Sequence, residues 1–164
     1  DHPADVGDHD FPDFASERAT ILDTWRAFAA HAEPDTTYVF NCVLLQHPMC
    51  ETMMRFGMSE DESRRYISDI AAIIAPLHPV VIYIAIDGVL DERGDGWLNA
   101  VIDYHTAQGY GEAHGLRGYE GYIACLEERR ERELRILRSL PVDSHIIPPS
   151  SDAKRISTVV DAIP

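Results

Sequence analysis

Three sets of side chains in this sequence have the chemistry to act on a ligand. The first is a crowd of carboxylates and imidazoles at the start: Asp1, His2, Asp5, Asp8, His9 and Asp10. Such groups bind divalent ions when they converge, but this spacing fits no zinc or calcium ligand pattern, so the segment reads as a solvated acidic loop with no metal site. The second set is arginine. Arg93, Arg117, Arg129 and Arg130 flank or follow a glycine-rich stretch, AQGYGEAHGLRG at 107–118. A planar guanidinium suits phosphate oxygens; for Arg129 and Arg132 a salt bridge on the helix surface is the better reading. The third set lies at the ends of apolar runs, where open α/β sheets bind ligands. There stand Gln46, His47 and Asp87, with Asn41 inside the first run. A carboxylate directly after a buried strand can hold a metal-bound water or a substrate hydroxyl, or simply cap a helix. A buried Asn41 needs a hydrogen-bond partner or a ligand.

These residues must be positioned by a scaffold whose outline is readable. Phe14, Ile21, Leu22, Trp25 and Phe28 recur at helical spacing, so 14–32 is an amphipathic helix. TTYVFNCVLLQ at 36–46 is apolar on both alternating faces apart from Asn41, as in a doubly covered central strand. A short Met-rich helical piece follows, closed by Gly57. Ser59 and Glu62 form a capping box that opens a helix running to about Leu77. VVIYIAI, ending at Asp87, is a second buried strand. A helix is expected near 97–105, a mobile loop at 107–118, and a long helix over 119–140 stopped by Pro141. A short strand at 145–147 and a helix at 152–163 complete the order. Alternation of this kind argues for a single α/β domain over 1–164, with a mostly parallel sheet and helices on both faces.

Composition narrows the partners. With 28 acidic against 14 basic residues the net charge is −14, which disfavours nucleic acid and anionic membrane surfaces. No apolar run reaches the roughly 18 residues of a membrane span. Cys42, Cys50 and Cys125 are scattered, without CxxC spacing, and fit reduced thiols in a cytoplasmic protein. The stretch GYGEAHG at 109–115 is spaced wrongly for a dinucleotide fingerprint, and a helix-like segment precedes it where a strand is required. Neither a GxSxG nor an HExxH motif is present.

The segment VFNCVLLQHPMCETMMRFGMSEDESRRYISDIAAIIAPLHPVVIYI, together with DERGDGWLNAVIDYHTAQGYGEAHGLRGYEGYIACLEERRERELRILRSLP, resembles a group of little-characterised bacterial P-loop NTPases, similar in outline to nucleotide and small-molecule kinases. The resemblance covers most of residues 36–141, and DHP at 1–3 matches the family's segment after its second strand. It implies a P-loop kinase-like fold, ATP or GTP with Mg2+, and phosphoryl transfer or hydrolysis on a nucleotide or other small-molecule acceptor. By the same likeness Asp1 and His2 lie near the acceptor, while Asn41, Gln46 and His47 line the magnesium and phosphate edge. Residues 88–118 correspond to a lid, with Arg93, Arg117 and Arg130 as its phosphate contacts. The sequence departs from the family in four ways. It lacks the first strand, the GxxxxGK(S/T) loop and the first helix; Asn41 stands where the family carries an acid; and the segments after Asp10 and after Asp87 are short.

The backbone N–H groups and the lysine of that loop supply most phosphate binding. The expectation is therefore the C-terminal part of a phosphotransferase or NTP hydrolase, its true N-terminus missing, inactive without the loop and compatible with an oligomer. A second reading is a non-catalytic interaction module binding a protein through Met49, Met53, Met54 and Met58, against which stands plain core packing. A third, a hydrolase pairing Asp87 with a histidine, has nothing to position the pair.

Overall fold

The computed structural model describes residues 13–85, 100, 102–105, 118–148, 157–158 and 161. Asp13 opens the first helix, α1 (Phe14–His31), by accepting a hydrogen bond from the backbone N–H of Ser16 at 2.9 Å. α2 (Gln46–Met49) runs directly into a π-helical turn, Cys50–Arg55. Gly57, with φ at 60°, ends it in the left-handed conformation that costs glycine little. The capping box forms as expected: Ser59 and Glu62 exchange hydrogen bonds at the start of α3 (Glu60–Ile74). Leu77 closes a short 3-10 turn after α3. β1 (Val80–Ile84), α4 (Gly118–Ser139) and β2 (Asp143–Ile147) follow.

β1 and β2 pair in parallel, with Val80 opposite Asp143 and Ile84 opposite Ile147. A parallel pair cannot be joined by a tight turn, and the connection here includes α4. The α/β class and the last two predicted strands are therefore present. Of the predicted terminal helix, residues 157, 158 and 161 are described, and all three are helical.

The main correction falls on residues 36–46, which form no strand. Residues 36–40 are irregular, 41–45 make a bend and a turn, and Gln46 begins α2. Period-two apolarity describes a chain that fits between two layers, yet a strand also needs a hydrogen-bonding neighbour. Among the described residues the sheet has two strands and offers this segment none. The apolar side chains of its first half stay uncovered, Val39 being 91% exposed and Tyr38 and Phe40 about half so, while Leu45 turns into the core. Edge-on contacts of Phe28 with Tyr38 and Phe40, both at 5.0 Å, fasten the segment to α1 instead.

The core sits between the π-turn, α3 and α4. Met49, Met53, Met54, Ile67, Cys125, Ile136 and Leu137 form one cluster with β1 side chains against it. The methionines at 49, 53 and 54 are fully buried, so they are not the exposed docking face of an interaction module. The plain packing alternative holds, because Met bends to fill irregular gaps such as the one a π-turn leaves. A smaller cluster of Leu22, Tyr66 and Ile70 joins α1 to α3. Arg55 ties α1 to the π-turn, 2.9 Å from Glu51 and 3.6 Å from Glu17.

Candidate functional site

The residues singled out by sequence do not form one site among those described. Asp1, His2, Asp87, Arg93 and Arg117 lie outside the described residues, as does most of 88–118. Asn41, Gln46 and His47 share a single exposed turn. Cys42, with φ at 67°, holds that turn: its thiol lies 3.1 Å from both Asn41 Oδ1 and Gln46 Oε1. The His47 N–H donates to the Cys42 carbonyl at 3.0 Å. Asn41 is thus at the surface, not within a buried strand. Arg130 is half-buried on α4, a separate element.

A different group of polar residues is buried at the junction of β1, the π-turn and α4. Residues Cys125, Arg129, Glu133 and Ile136 recur every three or four positions along α4 and so share its inner face, with Leu140 just past its end. Glu133 is 4% exposed. Its Oε2 accepts a 2.7 Å hydrogen bond from the Tyr83 hydroxyl on β1. Its Oε1 lies 3.2 Å from Arg129 Nε, an ion pair without hydrogen-bond alignment. The other arm of Arg129 meets sulfur: Nη1 is 3.2 Å from Cys50 Sγ and 3.5 Å from Met54 Sδ. The surface salt bridge expected for Arg129 is therefore an interior one, whereas Arg132 does pair with Glu128 as expected.

Burial dominates the electrostatics here. It pushes the Glu133 carboxyl above the ordinary glutamate range, with Arg129 and the Tyr83 hydrogen bond pulling back. It also raises Tyr83, an effect that the nearby Glu133 charge reinforces. Burial raises the Cys50 thiol as well, and Arg129 opposes it. Arg129 itself is held charged by Cys50 and Glu133 against the cost of burial. Beside this group, His105 Nδ1 lies 2.6 Å from the Tyr122 hydroxyl, whose pKa burial pushes up to about 12. Burial lowers His105, and the Arg129 charge acts in the same direction.

Because the folded protein binds a proton at His105 less readily than the unfolded chain does, acid favours unfolding. Its share of stability is present above the ordinary histidine value of 6.5 and is lost as pH falls through the lowered folded value. Thermal melts of His105→Gln between pH 7 and pH 5 should fall less steeply than those of the parent. Parallel curves would remove His105 from the titration.

Sequence reading missed Glu133 and Tyr83 because the first resembles any surface acid of a charged helix and the second any aromatic in a strand. The signal available was the stripe at 125, 129, 133, 136 and 140, which places Arg129 rather than Arg130 on the inner face. Among the described residues no group of three or more His, Cys, Asp or Glu is arranged to hold a metal ion. No helix among them is long and apolar enough to cross a membrane. Comparison with protein-family models, with curated proteins and with solved structures found no match.

Proposed function

We propose that this chain is part of an ATP- or GTP-dependent phosphotransferase or NTP hydrolase of P-loop kinase-like architecture, acting on a nucleotide or other small molecule in the cytoplasm. One observation carries the reading. β1 pairs with β2 alone among the described strands, while residues 38–40 expose two aromatic rings and a valine that suit a doubly covered strand. A parallel sheet leaves this pattern when the strand between two of its members is supplied from elsewhere. In the kinase-like arrangement the phosphate-binding strand occupies that place, between 36–46 and β1.

The described residues alone do not fit magnesium-bound nucleotide. The Asn41–His47 turn offers amide oxygens and an imidazole, with no glycine-rich run of backbone donors. No catalytic step is therefore assigned to this chain by itself. The parts proposed for the whole are α4, which carries Arg130, and the lid-like segment at 107–118 with Arg117, of which only Gly118 lies among the described residues. A mobile lid closing arginines onto the transferring phosphate excludes water and stabilises the charge that develops there.

Calorimetry with Mg-ATP on the 164-residue chain should show no specific binding. A longer protein carrying GxxxxGK(S/T) upstream should bind it at micromolar concentration and turn it over. In that protein Arg117→Ala and Arg130→Ala should each lower turnover about tenfold without loss of folding, the worth of one charge-assisted contact. Micromolar binding by the 164-residue chain, or an upstream sequence without the motif, overturns the reading.

A further inference from the structure

We propose that the cleft between the first turns of α1 and α3 binds a free α-amino acid with an aromatic side chain, its carboxylate on Arg65 and its ammonium on Glu62. The cleft holds about 300 Å³, at the lower end of the range for small-molecule sites, and is lined by Phe14, Arg18, Met58, Glu62, Arg65 and Tyr66. The phosphotransferase reading uses none of these residues.

The two helices bring the lining together. Phe14 and Arg18 are four residues apart on α1, while Glu62, Arg65, Tyr66 and Asp69 recur at three- and four-residue steps on α3, so each set shares one helix face. The faces are joined at Leu22, Tyr66 and Ile70 and by the ion pair of Arg18 with Asp69. The Phe14 ring stands edge-on to Tyr66 at 5.5 Å and lies 5.7 Å from Phe56. Met58 is anchored through its carbonyl, which accepts from Arg132 Nη1 at 3.2 Å. Two rings and a thioether thus form an apolar wall, and all three pack well against a further ring.

The charges narrow the ligand. Arg18 is matched by Asp69, but Arg65 is not matched: its Nε donates to the Asp61 carbonyl at 3.2 Å, and it makes no ion pair among the described residues. Glu62 commits Oε2 to the capping box, accepting from the Ser59 N–H at 2.8 Å and hydroxyl at 2.6 Å. Those bonds hold its carboxyl below the ordinary glutamate value, and Arg65 adds to this without pairing with it. A guanidinium and a carboxylate therefore stand side by side on one face, each open to a ligand group of opposite charge. A guanidinium grips a carboxylate through paired N–H bonds, and a carboxylate accepts from an ammonium. A zwitterion satisfies both; a simple anion faces Glu62, a simple cation faces Arg65, and a dianionic phosphate is repelled further.

The test is a titration of the isotope-labelled 164-residue chain, read from its amide shifts. L-phenylalanine should saturate with a Kd at or below about 1 mM, with the largest shifts at Phe14, Met58 and Arg65. Hydrocinnamate, which lacks the ammonium, phenethylamine, which lacks the carboxylate, and phenyl phosphate should each bind at least about tenfold more weakly. Arg65→Ala should weaken phenylalanine binding by a similar factor. Glu62→Gln should do the same, and because glutamine also serves a capping box, that loss reports the missing charge rather than a frayed helix. A titration that does not saturate, equal binding of the four probes, tighter binding of phenyl phosphate, or parent affinity in Arg65→Ala overturns the proposal.

Discussion

Glu133→Ala should cost about 3–5 kcal/mol of folding stability, the usual penalty for stranding one member of a buried ion pair. The reason lies in what remains. Arg129 would keep its charge in the interior, facing Cys50 and Met54, whose sulfurs are weak acceptors. The Tyr83 hydroxyl would lose its acceptor as well. Tyr83→Phe removes a single hydrogen bond to a charged group and should cost roughly 1–3 kcal/mol. The double replacement Arg129→Met with Glu133→Leu removes both charges and fills the space with apolar atoms, so it should be milder than Glu133→Ala alone. Urea midpoints, with slopes unchanged, give the comparison. If Glu133→Ala unfolds at the parent's midpoint, the carboxylate does not balance the guanidinium, and Arg129 is satisfied by other means.

Ile67→Ala should cost roughly 2–5 kcal/mol, because Ile67 is fully buried among Met49, Met53, Met54 and Ile136 and a cavity would remain. Val39→Ser should lie within about 0.5 kcal/mol of the parent, as befits a side chain 91% exposed. From sequence the order would be reversed, since Val39 sits in the middle of the most apolar run while Ile67 is one isoleucine of a charged helix. A large loss from Val39→Ser would mean that 36–46 is covered in solution and that the helical layer is not the main core.

That contrast shows where sequence reading succeeds. The capping box at Ser59 and Glu62, the stop at Pro141 and the apolar runs at 80–86 and 145–147 are local signals, and the elements form there with bounds shifted by two residues in each strand. Residues 36–46 carry an equally strong local pattern, but a strand is a relation between two segments, and apolar alternation says nothing of whether the second is at hand. The site failed to read for a related reason. Arg129 and Glu133 look like a solvated i,i+4 pair, and only the approach of Tyr83 and Cys50 from other elements turns them into an interior network. Arg130 stands one residue away, beside the stripe that Leu126 and Leu137 mark in the sequence.

The ladder between β1 and β2 also bears on the order of events in folding. Val80 and Asp143 must find each other across about 60 residues of chain, a closure whose entropy is lost before any ladder bond forms. α1 and α3 meet at Leu22, Tyr66 and Ile70 across a somewhat shorter stretch, about 45 residues, and each helix first forms from local hydrogen bonds that need no closure at all. Helical pairing therefore comes early and strand pairing late. Contacts made after the transition state govern how fast a protein opens rather than how fast it closes. On that order, loosening the ladder at Ile84, Ile147 or the Ala85 N–H that donates to the Ile147 carbonyl should speed unfolding more than it slows folding.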